Sequence, residues 1–159
     1  MNADLFHCSG CGGIYDYSVY QNLDDEPPSW SASGGCSGSE GRVEIDGHGL
    51  PSPEFRAVIF AKEGVRELTI GPSADTISTL RHLQKTLALP ASVAAPLGRK
   101  IPGVVLSGTP QEIQWLVSKL SAHEIPASST MSSEPRSIDL ADVVSTDWRQ
   151  GRDWILSET

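Results

Sequence analysis

Cys8 and Cys11 stand in a C-x-x-C-G pattern within HCSGCGG. Cys36 stands in GGCSGSEG, with Ser39 three residues on where a second pair would place a cysteine. A C-x-x-C turn presents two thiolates from one loop, and a zinc ion takes about four such ligands in a tetrahedron. The glycines that follow let backbone N–H groups turn toward sulfur. Cys8, Cys11 and Cys36 supply three donors, and His48, twelve residues after Cys36 in DGHG, is the expected fourth. His7 adjoins Cys8 and is sterically the poorer candidate, and Asp46 is a more distant one. Three readings stay open: a structural zinc site, a metal-free remnant with free thiols, and a redox pair Cys8–Cys11. A redox pair normally opens a helix, whereas Gly12, Gly13, Ile14 and Tyr15 predict a turn followed by a strand.

Other chemistry is sparse. No nucleophile elbow, phosphate loop, dinucleotide fingerprint or H-E-x-x-H helix occurs, and LSGTP has no lysine after its turn. His82 and His123 fall on predicted helices without a Ser or Cys that spacing places beside them, which predicts solvated or core-edge histidines. Asp24, Asp25 and Glu26 precede Pro27-Pro28, and an acidic run in a proline-bounded loop is expected to be solvated surface.

The elements around these residues follow from pattern. Residues 1–53 read as a small glycine-rich module with strand-like alternation at 14–19, packing aromatics, and one short strand RVEI before a DGHG turn. Residues 54–128 read as an α/β unit. EFRAVIFA is expected to be a strand, in a hairpin with VRELTI. A helix capped by Ser73 follows, with Ile77, Leu80, Leu83 and Leu87 on its apolar stripe, then a short helix opened by Pro90 and ended by Gly98. Next come the strand GVVL and a helix with Thr109 as N-cap, Pro110 in its first turn, Glu112 as the capping-box carboxylate, and Ile113, Leu116, Val117 and Leu120 inward. Trp115 lies off that stripe and is either a surface anchor or sits under the N-terminal module. Residues 129–137 read as a linker within a serine-rich tether that begins near 127. Residues 138–159 read as a tail carrying Trp148 and Trp154, which packs on its own domain or docks elsewhere. The fold class expected is α+β.

Charge bounds the partners. The net charge is -8, and residues 1–53 hold eight acids against one arginine. Residues 54–126 hold eight bases against six acids, and residues 127–159 hold six acids against three arginines. That balance makes nucleic acid an unlikely partner. No apolar run nears the ~18 residues a membrane helix needs, so no membrane association is expected. The N-terminal MNADLFHCSG lacks a basic start and an apolar core, so a cytoplasmic location is expected.

Two resemblances add to this. The cysteine pattern resembles one and a half zinc-ribbon knuckles, which implies a structural zinc. The order strand, helix, helix, strand, helix, with an optional last strand, is similar to the C-terminal domain of the bacterial ribosomal stalk protein. That fold is shared by the adaptor that delivers N-degron substrates to Clp proteases. Leu87-Ala88-Leu89 matches the family's leucine-glycine-leucine turn. Pro102, Val104, Val105 and Gly108 match its strand and turn, and Glu112, Leu116, Lys119 and Leu120 match its last helix. The resemblance covers about residues 55–128 and implies the fold and a protein partner. Factor binding is not carried over, because Ser78 and Thr79 stand beside Arg81 and Lys85 where the stalk helix is valine- and lysine-rich.

These readings lead to an expected non-enzymatic adaptor that binds another protein through Arg81, Lys85, Arg99 and Lys100, or through Trp148 and Trp154. One alternative is an acidic immunity protein whose Asp24, Asp25 and Glu26 complement a basic toxin site. Another is a metal- or thiol-dependent enzyme that uses Cys8, Cys11, Cys36 and His48.

Overall fold

A computed structural model describes residues 6–25, 28–134 and 137–144. Strands β1 (Tyr15–Asn22), β2 (Ser29–Cys36) and β3 (Arg42–His48) form an antiparallel sheet in the order β1-β2-β3. Along β1, Tyr17 and Gln21 are buried while Asp16, Ser18 and Tyr20 face water, the alternation a half-buried strand requires. The expected DGHG turn is corrected, because β3 runs straight through Asp46 and Gly47 to His48. Gly47 lies opposite Trp30, and a Cβ there would overlap the indole. A glycine that looks like a turn signal is instead what lets an aromatic ring lie on the strand.

The expected strand at EFRAVIFA is also corrected. It is helix α1 (Pro53–Glu63), which rules out the hairpin with VRELTI. Ser52 accepts the Phe55 N–H at 3.5 Å, Pro53 occupies the first turn, and Gly64 closes the helix at φ 79. These are complete start and stop signals. Phe55, Arg56 and Ile59 are the buried positions, one face of a helix rather than one side of a strand.

Strand β4 (Val65–Ile70), helices α2 (Thr76–Leu87) and α3 (Ala91–Gly98), strand β5 (Gly103–Gly108), helix α4 (Pro110–Ser121) and strand β6 (Ala127–Ser132) follow. A two-residue strand β7 (Ile138–Asp139) and a one-turn helix α5 (Leu140–Val143) close the described chain. The second sheet has the order β6-β4-β5-β7, with β4 antiparallel to β5 and β6, and β5 parallel to β7. The chain is therefore α+β, as expected.

Three local readings are corrected here. The cap of α2 is Asp75, not Ser73, and its carboxylate accepts the Ser78 N–H at 2.7 Å. Ile77 is exposed rather than on the apolar stripe. The first part of the tether, where an optional last strand was allowed, is an edge strand over 127–132 paired to β4 and made mostly of Ser and Thr. A cooperating partner strand overrides the loop-like composition there. By contrast, α4 carries the full capping box on Thr109 and Glu112.

The larger core lies on the second sheet, where Leu68, Ile70, Leu83, Leu97, Leu106, Leu116 and Leu140 are fully or almost fully buried. Trp115 joins it, together with Leu23 from the end of β1. The start of the C-terminal segment packs on its own domain, with Leu140, Val143 and Val144 buried. A smaller core of Tyr17, Ala32 and Phe55 lies under the first sheet, with Phe6 edge-on to Tyr17 at 5.4 Å and Trp30 against Phe55 at 5.3 Å.

Candidate metal centre

Strand pairing brings the cysteines together. Tyr15 lies opposite Cys36 at the end of the β1–β2 ladder, so the loop before β1 and the loop after β2 emerge side by side. Each loop folds into a knuckle on its own backbone. Cys8 N–H donates to Gly13 O at 2.7 Å and Gly12 N–H to Cys8 O at 2.8 Å, while Cys36 N–H donates to Gly41 O at 2.9 Å. The knuckles are tied to each other by Ser37 N–H to Ile14 O and Ile14 N–H to Ser37 Oγ, both at 3.0 Å.

The Sγ atoms of Cys8, Cys11 and Cys36 all lie within 4.8 Å of one another, and the Cys11 and Cys36 sulfurs are 3.3 Å apart. Thiolates bound to one tetrahedral zinc at ~2.3 Å stand roughly 3.8 Å apart, so the cluster fits that ion without rearranging the strands. Glycine makes the approach possible. A Cβ at Gly13 would stand 2.8 Å from Gly38 N, 3.0 Å from Cys36 Sγ and 3.2 Å from Cys11 Sγ. A Cβ at Gly38 would stand 2.9 Å from Cys11 Sγ.

The thiols differ in acidity. The Tyr15 hydroxyl, donating to Cys8, is the main cause lowering the Cys8 thiol to about 6, with the backbone around Cys11 and Gly10 adding to it. The same bond pushes Tyr15 up to about 12. Cys36 is lowered chiefly by the Ser39 hydroxyl and then by the Gly38 amide. For Cys11 the Gly13 amide, 3.4 Å from Sγ, works downward, but hydrogen bonding with Cys36 and Cys8 prevails and raises it. Donors aimed at sulfur stabilise thiolate, the form a metal takes.

The fourth donor expected, His48, is corrected. It pairs with Ser29, at the opposite end of β2 from Cys36, about 23 Å away along an extended strand. Asp46 pairs with Ser31, also removed from the thiols, and His7 is exposed in a bridge to Ile14. Ser39 is the side chain beside the thiols: it lines one cavity with Cys36, and its hydroxyl works to lower the Cys36 and Cys11 thiols. The sequence reading passed over Ser39 as a missing ligand; its place three residues after Cys36 is the signal that could have found it.

The remaining candidates lie elsewhere. Arg81 and Lys85 are exposed on α2, and Arg99 is exposed at the C-cap of α3 with Lys100 half-buried beside it. The two helices pack together so closely that a Cβ at Gly98 would stand 3.2 Å from Leu80. Trp148 and Trp154 lie outside the described residues. Asp25 accepts from the Ser29 hydroxyl at 2.5 Å, Asp24 is exposed, and Glu26 lies outside the described residues. His82 and His123 stack with ring centroids 4.0 Å apart, a pairing spacing did not reveal.

A buried polar network was also missed. Glu112, fully buried, accepts from Arg56, Gln21 and the Thr109 N–H, and Arg56 also donates to Asp139 at 2.8 Å. Arg56 and Asp139 line part of a cavity of about 750 Å³ between Trp30, Pro51, Phe60 and Asp142, which does not include the thiols.

No helix among the described residues is long and apolar enough to cross a membrane. No family model matches the chain, and no curated protein and no solved structure matches it.

Proposed function

We propose that this chain is a non-enzymatic scaffold that binds another protein, with its N-terminal knuckles held by a structural zinc ion. The observation that carries the reading is the convergence of Cys8, Cys11 and Cys36 from two separate knuckles onto one point. A thiolate-rich, four-coordinate environment favours zinc among the common divalent ions. Held there, zinc would cross-link the loop before β1 to the loop after β2, fixing the end of a sheet whose own hydrophobic core is small. Cys8, Cys11 and Cys36 hold it, Tyr15 and the knuckle amides orient and stabilise the thiolates, and the glycines keep the space clear.

The binding role is supported by the outer face of α2. Ile77, Arg81 and Lys85 fall at i, i+4 and i+8, and all three are exposed. An apolar side chain flanked by cations suits an acidic, amphipathic partner segment. The likeness of residues 55–128 to the stalk and adaptor domains points the same way.

Metal analysis of purified protein tests the first half, with one zinc per chain expected and its loss in Cys36→Ser. Pull-down with wild type beside Arg81→Glu/Lys85→Glu tests the second. Capture that disappears in the reversed variant, while its thermal stability is unchanged, supports this face; equal capture by both overturns it.

A further inference from the structure

Tyr20 faces water from β1 and is 67 % exposed. The neighbouring strand leaves its ring uncovered, because Tyr20 lies opposite Ser31, and Asn22 opposite Ser29. Two clefts meet at this ring. One, of about 610 Å³, runs from Tyr20 and Asn22 past Arg66 on β4 to Gln111 and Gln114 on α4. The other, of about 490 Å³, runs from the same two residues across the first sheet to Ser31, Asp46 and His48. Leu23 and Trp115 line the first cleft but are buried in the core, so Tyr20 is the one large hydrophobic side chain lining either cleft that is exposed.

The polar groups along both clefts are largely unspent. Arg66 is half-buried on a strand flanked by β6 and β5, yet it makes no hydrogen bond or ion pair to another described residue. The side chains of Gln114, Ser31, Asp46 and His48 likewise make none. Each cleft also has a lining residue with a buried polar atom that lacks its partner. In the first, Gln111 Oε1 lacks a donor, and in the second, Trp30 Nε1 lacks an acceptor. Turning the Gln111 amide over would not help, because its Nε2 already donates to Glu63 at 2.9 Å. One cleft therefore wants a donor and the other an acceptor, and a hydroxyl is both. An exposed phenol ring between them wants an apolar face to pack against. A sugar ring carries hydroxyls on its rim and C–H groups on its face.

We propose that this surface binds a neutral oligosaccharide, with one sugar ring stacked on Tyr20 and its neighbours along the chain reaching into the two clefts. Charge selects against anionic ligands. Asp24 in the first cleft and Asp25 and Asp46 in the second face the guanidinium of Arg66 and the imidazole of His48. That excess of carboxylate opposes phosphate, sulfate and uronate groups. A docked peptide would instead seat an anchoring side chain in an open apolar socket. Leu23 and Trp115, the side chains that could line one beside Tyr20, are already covered. The site is separate from the thiols and from the outer face of α2.

A printed array of neutral and anionic oligosaccharides tests this with full-length wild type, Tyr20→Ala and Tyr20→Trp. The neutral glycan bound best is then titrated by calorimetry, both as a tetrasaccharide and as its single sugar unit. Wild type should prefer neutral glycans to sulfated or uronic ones. The tetrasaccharide should bind about tenfold more tightly than the single unit, because it reaches both clefts. Tyr20→Ala should weaken binding by about tenfold at an unchanged thermal midpoint, and Tyr20→Trp should restore it. Binding to no neutral glycan at millimolar concentration, or a preference for anionic glycans, overturns the proposal. So does equal affinity of wild type and Tyr20→Ala, or equal affinity for the tetrasaccharide and its unit.

Discussion

Arg56 grips Glu112 with two parallel hydrogen bonds, Nε to Oε1 at 3.1 Å and Nη2 to Oε2 at 2.7 Å, and the carboxylate is completely removed from water. The pair joins α1 to the first turn of α4. Gln21 adds β1 by donating to Oε1 at 3.1 Å and accepting from Thr109 Oγ1 at 2.6 Å, and Asp139 adds the C-terminal segment. Burial alone would lower the Arg56 pKa, but the charges of Glu112 and Asp139 outweigh it and raise it. Removing Arg56 leaves the Glu112 charge buried without a cation, and removing Glu112 leaves Arg56 buried with Asp139 as its one remaining carboxylate. Arg56→Met or Glu112→Gln should each cost about 3–5 kcal/mol of unfolding free energy, read by urea denaturation. Replacing both with apolar residues of similar volume should cost less than either single change.

Gly13→Ala should cripple the metal centre, because the added methyl meets Gly38 N and two cysteine sulfurs. Zinc retention after dialysis should fall while the second sheet stays folded. Gly35→Ala is the control, since a Cβ there meets nothing within 4 Å. Equal zinc loss in both variants would contradict the cradle described for Gly13.

Ala88 adopts a left-handed conformation, φ 50 and ψ 42, as it ends α2. A Cβ is unfavourable there, and glycine is the usual solution. Ala88→Gly should therefore raise stability by about 1 kcal/mol, visible as a higher urea midpoint with unchanged slope. A loss of stability would mean that the methyl group packs more favourably than its backbone strain costs.

Acidification should act through His82. Burial first, then the charges of His123 and Lys85, hold its pKa below the ordinary 6.5. The folded state therefore binds fewer protons at this site than the unfolded chain does. Its contribution is fully present above about 6.5 and drains away as pH falls through the lower folded value. Thermal midpoints between pH 7.5 and 5 should fall more in wild type than in His82→Gln. Parallel curves would remove His82 from the account.

In metal-free protein the thiols should alkylate in a fixed order. Cys8, lowered to about 6 by the Tyr15 hydroxyl, should label ahead of Cys11, whose pKa is raised. Tyr15→Phe should move Cys8 toward the usual thiol range and shrink the gap. Mass-mapped iodoacetamide labelling from pH 5.5 to 9 reads both.

Helix α4 was legible because its signals are local: Thr109, Pro110 and Glu112 lie within four residues and satisfy the helix start by themselves. Helix α1 carries local signals as well, Ser52, Pro53 and Gly64, but apolar residues at both parities of EFRAVIFA imitate a strand and outweighed them. The packing that settles the matter is distant: the aromatic cluster takes Phe55 and the carboxylates take Arg56. Strand β6 could be read only as an optional last strand, because its Ser and Thr residues are ordered by β4 rather than by their own apolarity. At the centre, donor chemistry identified Cys8, Cys11 and Cys36, because thiols at C-x-x-C spacing have few other uses. Counting along the chain could not reveal strand register, and register is what carries His48 to the far end of the sheet from the thiols.

Phe55 and Arg56 are consecutive residues committed to different interiors, one under each sheet. Neither sheet can melt without pulling α1 from the other. The chain should therefore lose its structure in one calorimetric transition, with van't Hoff and calorimetric enthalpies equal, rather than shedding its amino-terminal third first. Heat resistance of the whole molecule then becomes a report on the state of three sulfurs at one of its ends.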